Sequence, residues 1–137
     1  MNKISKEVYI AGPFFNEEQK AVIEKIKNIL KELKISYFSP GDELPILEGK
    51  KSSKKDREKV FIGNCNGITY SNFVIAVIDD FDPGTLWEMG FAFNDGRPIL
   101  AYSDVPDRGL NIMLEQSCVG FVNGEKELKQ WLIEHKT

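Results

Sequence analysis

Residues 73–88 read FVIAVIDDFDPGTLWE, and the first seven of them decide the fold. Phe73 to Asp79 is an almost unbroken apolar run rich in β-branched residues, too short for a helix and bounded by polar residues. A strand buried on both faces, at the centre of a parallel sheet, has this composition. Directly after it, Asp82-Pro83-Gly84 opens a helix that the pattern carries from about Gly84 to Asn94. A strand that feeds straight into a helix is half of a β-α-β unit.

Working outward, the same alternation repeats. Glu7 to Ala11 predicts a first strand, broken by Gly12-Pro13. Asn16 followed by Gln19 has the form of a capping box, and Val22, Ile23, Ile26, Ile29, Leu30 and Leu33 follow at helical spacing. Ile35 to Ser39 reads as a second strand stopped by Pro40-Gly41, followed by a polar, irregular connection over 41–53. A helix over Asp56 to Tyr70 leads into the central strand. Beyond it come strand Pro98–Tyr102, a short helix near Leu110–Gln116, strand Val119–Val122 and a last helix Glu125–Glu134. No repeat or linker divides residues 1–137, so the expectation is one α/β domain, a doubly wound sheet of five parallel strands with helices on both faces. Ligands of such sheets bind beyond the carboxyl ends of the strands. That rule selects Gly12–Phe15, Pro40–Pro45 and Asp79–Gly84.

Composition narrows the function. A net charge of −3 and a pI near 5.3 argue against binding a phosphate backbone, so no nucleic-acid partner is expected. The one basic run, Lys50, Lys51, Lys54 and Lys55, is followed by Asp56 and Glu58 and reads as a solvated loop or helix start. There is no signal-like segment after Met1 and no apolar run approaching the roughly 18 residues of a membrane span, so a cytoplasmic protein with free thiols is the default. Cys65 and Cys118 have no metal-site spacing, and the single histidine, His135, lies in a charged tail without a Ser or Cys partner signature. Neither a metal nor a His-based triad is expected.

Chemistry concentrates in the carboxylates after the central strand. Glu88 falls in the first turns of the helix, where the helix dipole favours a charged carboxylate. Leu86, Met89, Phe91 and Phe93, with small Gly90 and Ala92, supply an apolar inner face. Asp82, six residues before Glu88, can face it across a small ligand. Two carboxylates in one pocket are the working parts of glycosidic bond cleavage, one attacking the anomeric carbon and the other handling the leaving group's proton. The same Asp82-Pro83 pair also fits an ordinary N-cap with proline at the first helical position, and helical glutamates are more often exposed than buried. Spacing alone leaves both readings open.

Three blocks carry a resemblance. Tyr9-Ile10-Ala11-Gly12-Pro13-Phe14-Phe15, then Asp82-Pro83-Gly84-Thr85-Leu86-Trp87-Glu88-Met89-Gly90-Phe91-Ala92, then Asn111-Ile112-Met113 resemble, in order and spacing, the nucleoside 2-deoxyribosyltransferase family. The likeness runs from Tyr9 to about Gln116 and implies a flavodoxin-like sheet. It implies Glu88 as the nucleophile forming a deoxyribosyl ester, Tyr9 as the group that orients it, and Asp82 as the contact and proton shuttle for the base. Tyr9 also fits a strand tyrosine packing outward. Phe14 and Phe15 would line or stack on the base, although core packing explains either residue equally well. Gly84 belongs to the same substrate-binding turn. Asp42 or Glu43 would accept from an exocyclic amine at the base edge, a solvated turn being the equal alternative. Asn111 and Met113 match a motif that reaches into a neighbouring subunit's site, which implies a homodimer or larger assembly.

Two departures stand out. Asn64 lies where many members carry an aspartate that touches the sugar; it keeps hydrogen-bonding capacity but not the charge. Asn72, eight residues on, opens the central strand and reads as structural. The chain ends His135-Lys136-Thr137, where several members place an aromatic residue. The resemblance implies 2′-deoxynucleosides and free nucleobases as substrates, and no cofactor. The family also contains hydrolytic 2′-deoxynucleoside 5′-monophosphate N-glycosidases. Against that branch, Gly12-Pro13-Phe14-Phe15 offers no hydroxyl for a phosphate. A non-catalytic nucleoside-binding sensor is the third reading, since fold does not fix function.

Overall fold

The computed structural model describes residues 5–47 and 52–135. Five parallel strands, β1 (Lys6–Ala11), β2 (Tyr37–Phe38), β3 (Ser71–Val77), β4 (Ile99–Ser103) and β5 (Gly120–Asn123), form one sheet in the order β2-β1-β3-β4-β5. Helices α1 (Glu17–Glu32), α2 (Pro40–Glu43), α3 (Lys54–Thr69), α4 (Pro83–Asn94), α5 (Ile112–Ser117) and α6 (Gly124–His135) connect them. The chain is an α/β protein with a doubly wound sheet.

The alternation of side chains along the strands divides the core in two. Val8 and Ile10 of β1, Ile75 and Val77 of β3 and Leu100 and Tyr102 of β4 pack against Ile23, Ile26 and Leu30 of α1 and Leu128 and Leu132 of α6. On the other face, Tyr9, Val74, Ala76 and Ala101 meet Ile68 of α3 and Met89 and Ala92 of α4. β3 is buried on both sides, as its composition requires. Because β1 and β3 are adjacent yet wind to opposite edges, their carboxyl ends form the crevice where strand order reverses.

Local chemistry sets the element ends. Asn16 accepts a hydrogen bond from the Gln19 amide at 2.9 Å, and Gln19 returns one to the Phe15 amide at 2.8 Å. α3 begins at Lys54, two residues before the predicted start, because Ser53 caps it by accepting from the Asp56 amide. Lys54 and Lys55 are exposed on its first turn, whereas Lys50 and Lys51 lie outside the described residues. The predicted irregular stretch after Pro40 opens with the helical turn α2 instead. On α4, the inward line is Thr85, Met89 and Ala92, and Phe93, expected inside, is 59% exposed. One residue past Ala92 rotates the side chain by about 100°, away from the sheet.

The α3–α4 face is fitted around Tyr9. Its ring stacks on Phe38 with centroids 5.6 Å apart, and both rings pass close under Gly67 of α3. A Cβ at residue 67 would lie 2.9 Å from Tyr9 Cε2 and 3.0 Å from Phe38 Cδ1. Gly67→Ala should gain about 1 kcal/mol of helix propensity but lose roughly 1–3 kcal/mol to overpacking against two rigid rings. A net loss on the order of 1 kcal/mol, read as a lower urea midpoint, is expected; an unchanged or higher midpoint would mean that the rings yield.

Candidate active site

The three loops selected by topology converge on a cavity of about 640 Å³. Gly12 to Phe15 form one wall, Pro40 and Leu44 to Leu47 a second, and Asp82, Gly84, Thr85, Trp87 and Glu88 a third, with Val60, Phe61 and Asn64 of α3 closing the side. The size suits a small organic ligand, and the walls are mainly apolar with few polar groups, the usual make-up of such sites.

Glu88 sits at this cavity with one oxygen committed. The Tyr9 hydroxyl donates to Glu88 Oε2, across the interface between β1 and α4. Oε1 makes no hydrogen bond among the described residues. Burial pushes the Glu88 carboxyl up to about 7; the Tyr9 hydrogen bond opposes that rise and the charge of Asp82 adds to it. The expected help from the helix N-terminus does not decide the outcome, because Glu88 lies in the second turn and the dipole acts mainly on the first. Burial, followed by the Glu88 charge and hydrogen bond, drives the Tyr9 hydroxyl far above its ordinary value, so Tyr9 stays a donor. The outward-packing alternative for Tyr9 is excluded, since the residue is fully buried.

Asp82 is the N-cap of α4 and also borders the cavity. As N-cap of α4, its Oδ2 accepts from the Thr85 amide at 3.0 Å and the Thr85 hydroxyl at 3.2 Å. Oδ1 is unbonded among the described residues, and Asp82 borders the cavity beside Glu88. Asn64 is on the same wall, and its Oδ1 is buried with no partner among the described residues. A buried acceptor left unpaired costs about 1–3 kcal/mol, so a ligand donor there is strongly favoured. Phe14 and Phe15 stack at 6.1 Å, Phe14 against Gly41 and Phe15 largely exposed at the rim.

Four residues singled out from sequence lie away from this cavity. Pro40 and Leu44, four apart on α2 and its cap, face inward. Asp42 instead reaches Lys27 Nζ at 2.8 Å, and Glu43 is exposed, so neither borders the cavity where a base edge would lie. Asn111 caps α5 by accepting from the Met113 amide at 2.8 Å. Asn111 is exposed, Met113 is 75% exposed, and neither lines the cavity of its own chain.

Sequence patterns gave no warning of Lys27, whose buried ammonium bridges Glu24 and Asp42, each at 2.8 Å. Burial alone would lower its proton affinity, but the hydrogen bonds it donates to Asp42 and Glu24 outweigh it and hold Lys27 well above its usual value. This ion pair fastens α2 to α1 and so sets the wall Leu44–Leu47. Phe61 and Trp87, in contact at 5.4 Å, were also missed; the signal available was an apolar pair, Ile46-Leu47, in an otherwise polar loop. Among the described residues no cluster of His, Cys, Asp or Glu could hold a metal, and no helix is long and apolar enough to cross a membrane.

A buried glutamate bonded to a tyrosine, beside a second carboxylate in this crevice, is the kind of arrangement found in enzymes that cleave glycosidic bonds. The sequence matches the family model for nucleoside 2-deoxyribosyltransferase over residues 8–127, and the chain belongs to that family. No curated protein matches it in sequence. Among solved structures it is similar to the 2-deoxyribosyltransferase of the psychrotolerant bacterium Bacillus psychrosaccharolyticus, with 29% identity, a TM-score of 0.81 and 90% of each chain covered. A conserved protein from Enterococcus faecalis V583 shares the fold at 18% identity and a TM-score of 0.77, over 96% of this chain and 99% of that one. The CMP N-glycosidase of Clostridium botulinum shares it at 22% identity and a TM-score of 0.63, over 95% and 100%.

Two measurements test the electrostatics. With Glu88 needed as a carboxylate, kcat/KM should rise with pH through about 7. Tyr9→Phe removes the bond that opposes burial, so the midpoint should move upward and the plateau fall roughly 10–100-fold, the scale of a mispositioned group; a midpoint that stays or falls would contradict the assignment. Stability carries the opposite sign. The native carboxyl binds its proton more tightly than the unfolded one, so stability is lost as pH rises from 4.5 to about 7. Glu88→Gln should therefore exceed wild type above pH 7 by on the order of 1–3 kcal/mol and match it in acid, in urea melts at both pH values.

Proposed function

We propose that this protein is a nucleoside 2-deoxyribosyltransferase that moves 2-deoxyribose between purine or pyrimidine bases through a covalent ester on Glu88. The observation that carries this reading is the Glu88 carboxylate, held by Tyr9 at an apolar cavity with one oxygen free, beside the unpaired Asn64 carbonyl. The resemblance to the Bacillus psychrosaccharolyticus 2-deoxyribosyltransferase supports it.

In the first displacement Glu88 Oε1 attacks C1′ and the C1′–N bond breaks. The electron pair passes to the base nitrogen, which takes a proton delivered through Asp82. Asn64 accepts from a sugar hydroxyl and steadies the ring as oxocarbenium character develops. A second base then attacks C1′ from the opposite face, giving its proton back to Asp82 and freeing Glu88, with net retention. A 2′-hydroxyl would withdraw electrons from C1′ and crowd Glu88, which favours deoxyribose. The aromatic rim of Phe14, Phe15 and Trp87 offers π faces on which an acceptor base can outlast water. Residues 1–137 act as one such domain. Its active form is a homodimer or larger assembly, in which the exposed Asn111 and Met113 complete a neighbour's site and hold the 5′-hydroxyl.

The deciding experiment incubates 2′-deoxyinosine with adenine or cytosine and separates the products. New deoxynucleoside from wild type, reduced at least about 1,000-fold in Glu88→Ala, is the expected result. Free deoxyribose without transfer would move the activity to hydrolysis, and turnover of 5′-monophosphates alone to the N-glycosidase branch. Nucleoside binding with no turnover would leave a sensor.

A further inference from the structure

Asp82 is aimed by a loop in an unusual conformation. Phe81, immediately before it, has φ of 47°, in the left-handed region that a bulky side chain rarely occupies. The turn is closed by the Phe81 amide, which donates to the Ile78 carbonyl at 3.1 Å. Such backbone persists only where surrounding contacts over-determine it. Here they come from the β4–α5 loop. The Arg108 guanidinium lies 4.9 Å from the centroid of the Phe81 ring, and its Nη2 donates to the Asp79 carbonyl at 2.7 Å. Nearby, the Asp79 carboxylate accepts from the Ser103 hydroxyl and the Asp104 amide, stitching the ends of β3 and β4 together. Arg108 does not border the active-site cavity; it lines a separate one on the α1 side. Its Nε is buried without a partner among the described residues, a cost that simple surface solvation does not explain.

We propose that Arg108 is a positioning residue for the leaving-group proton: by clamping the Phe81 ring and the Asp79 carbonyl, it fixes the strained turn that points Asp82 Oδ1 at the departing base. With Oδ2 tied to Thr85, the direction of Oδ1 depends on the backbone at residues 81 and 82, which Arg108 holds from behind. Arg108 touches neither sugar nor base, so its loss should act on proton delivery and spare attack at C1′. This inference rests on the role proposed for Asp82.

Two substrates separate these steps. 2′-Deoxyinosine leaves as a base that needs a proton. 7-Methyl-2′-deoxyguanosine is already cationic, and the electron pair of its breaking C1′–N9 bond neutralises the ring without one. Read as kcat/KM for release of the first base, which excludes the later step in which the acceptor's proton returns to Asp82, Asp82→Asn should lose activity on the first substrate and largely keep it on the second; equal losses on both would overturn the role of Asp82, and this inference with it. Given that pattern, Arg108→Ala should lose about 10–100-fold in kcat/KM on 2′-deoxyinosine, the scale of a misplaced catalytic group, and less than about 3-fold on 7-methyl-2′-deoxyguanosine, where no proton is delivered. The ratio of the two, taken on one preparation, is independent of the fraction folded. Arg108→Lys, which keeps a cation over the ring, should recover most of the ratio. Equal loss on both substrates, no loss on either, or a lysine variant as selective in its defect as alanine would each overturn the assignment.

Discussion

The hydrogen bond from Tyr9 to Glu88 joins the sheet to α4 at the cavity, and both partners are withdrawn from water to make it. A carboxyl placed there resists ionisation, and a tyrosine placed there holds its proton well beyond the ordinary phenol range. The pair therefore has one productive arrangement, a donor phenol and an acceptor carboxylate, and the neighbouring residues serve to keep it. Gly67 clears room for the phenol ring, Phe38 stacks under it, and Met89 and Ala92 hold α4 against the sheet. The site is bought with stability, since a charge near neutral pH is held where an apolar residue would pack better.

That constraint explains why the sheet was legible in the sequence and parts of the site were not. The run Phe73–Asp79 and the Pro/Gly breaks after β1 and β2 are local signals, and they place the crevice without help from distant residues. Asp82 as an N-cap was equally local. Lys27 and Asp42 are different: they pair across two elements fifteen positions apart, and nothing in helical periodicity distinguishes a buried lysine from a solvated one. Asp42, which the sequence offered as a base contact or equally as a solvated turn, pairs with Lys27 instead of bordering the cavity. The charge at Glu88 was misjudged because sequence reports its distance from a helix end but not its depth.

One chain leaves a good deal of apolar surface on the α3–α4–α5 side. Phe61, Ile62, Trp87, Phe93, Ile112 and Met113 are all exposed there, and Trp87 also borders the cavity. Exposed apolar patches of this kind mark interaction surfaces. An assembly that covers them would shield the cavity rim at the same time, which the proposed transfer would need: its covalent ester would have to wait for a base while water is kept away. The homo-oligomer proposed from Asn111 and Met113 is thus favoured by the chemistry as well as by the surface.

Arg108 extends the same logic to the other carboxylate. Glu88 is fixed by a direct bond to Tyr9, as the proposed nucleophile would have to be for near-attack geometry. In the proposed reaction Asp82 has a looser task, since it would have to meet base nitrogens at different places in purines and pyrimidines. A carboxylate bonded through one oxygen and aimed by its backbone keeps some rotation at the free oxygen, whereas a second side-chain partner would remove it. Fixing the turn from behind, through Phe81 and Asp79, gives Asp82 a direction without occupying the oxygen that has to act. The left-handed backbone at Phe81 fits that proposed division of labour: a glycine would relax the turn, but it would leave Arg108 no ring to hold.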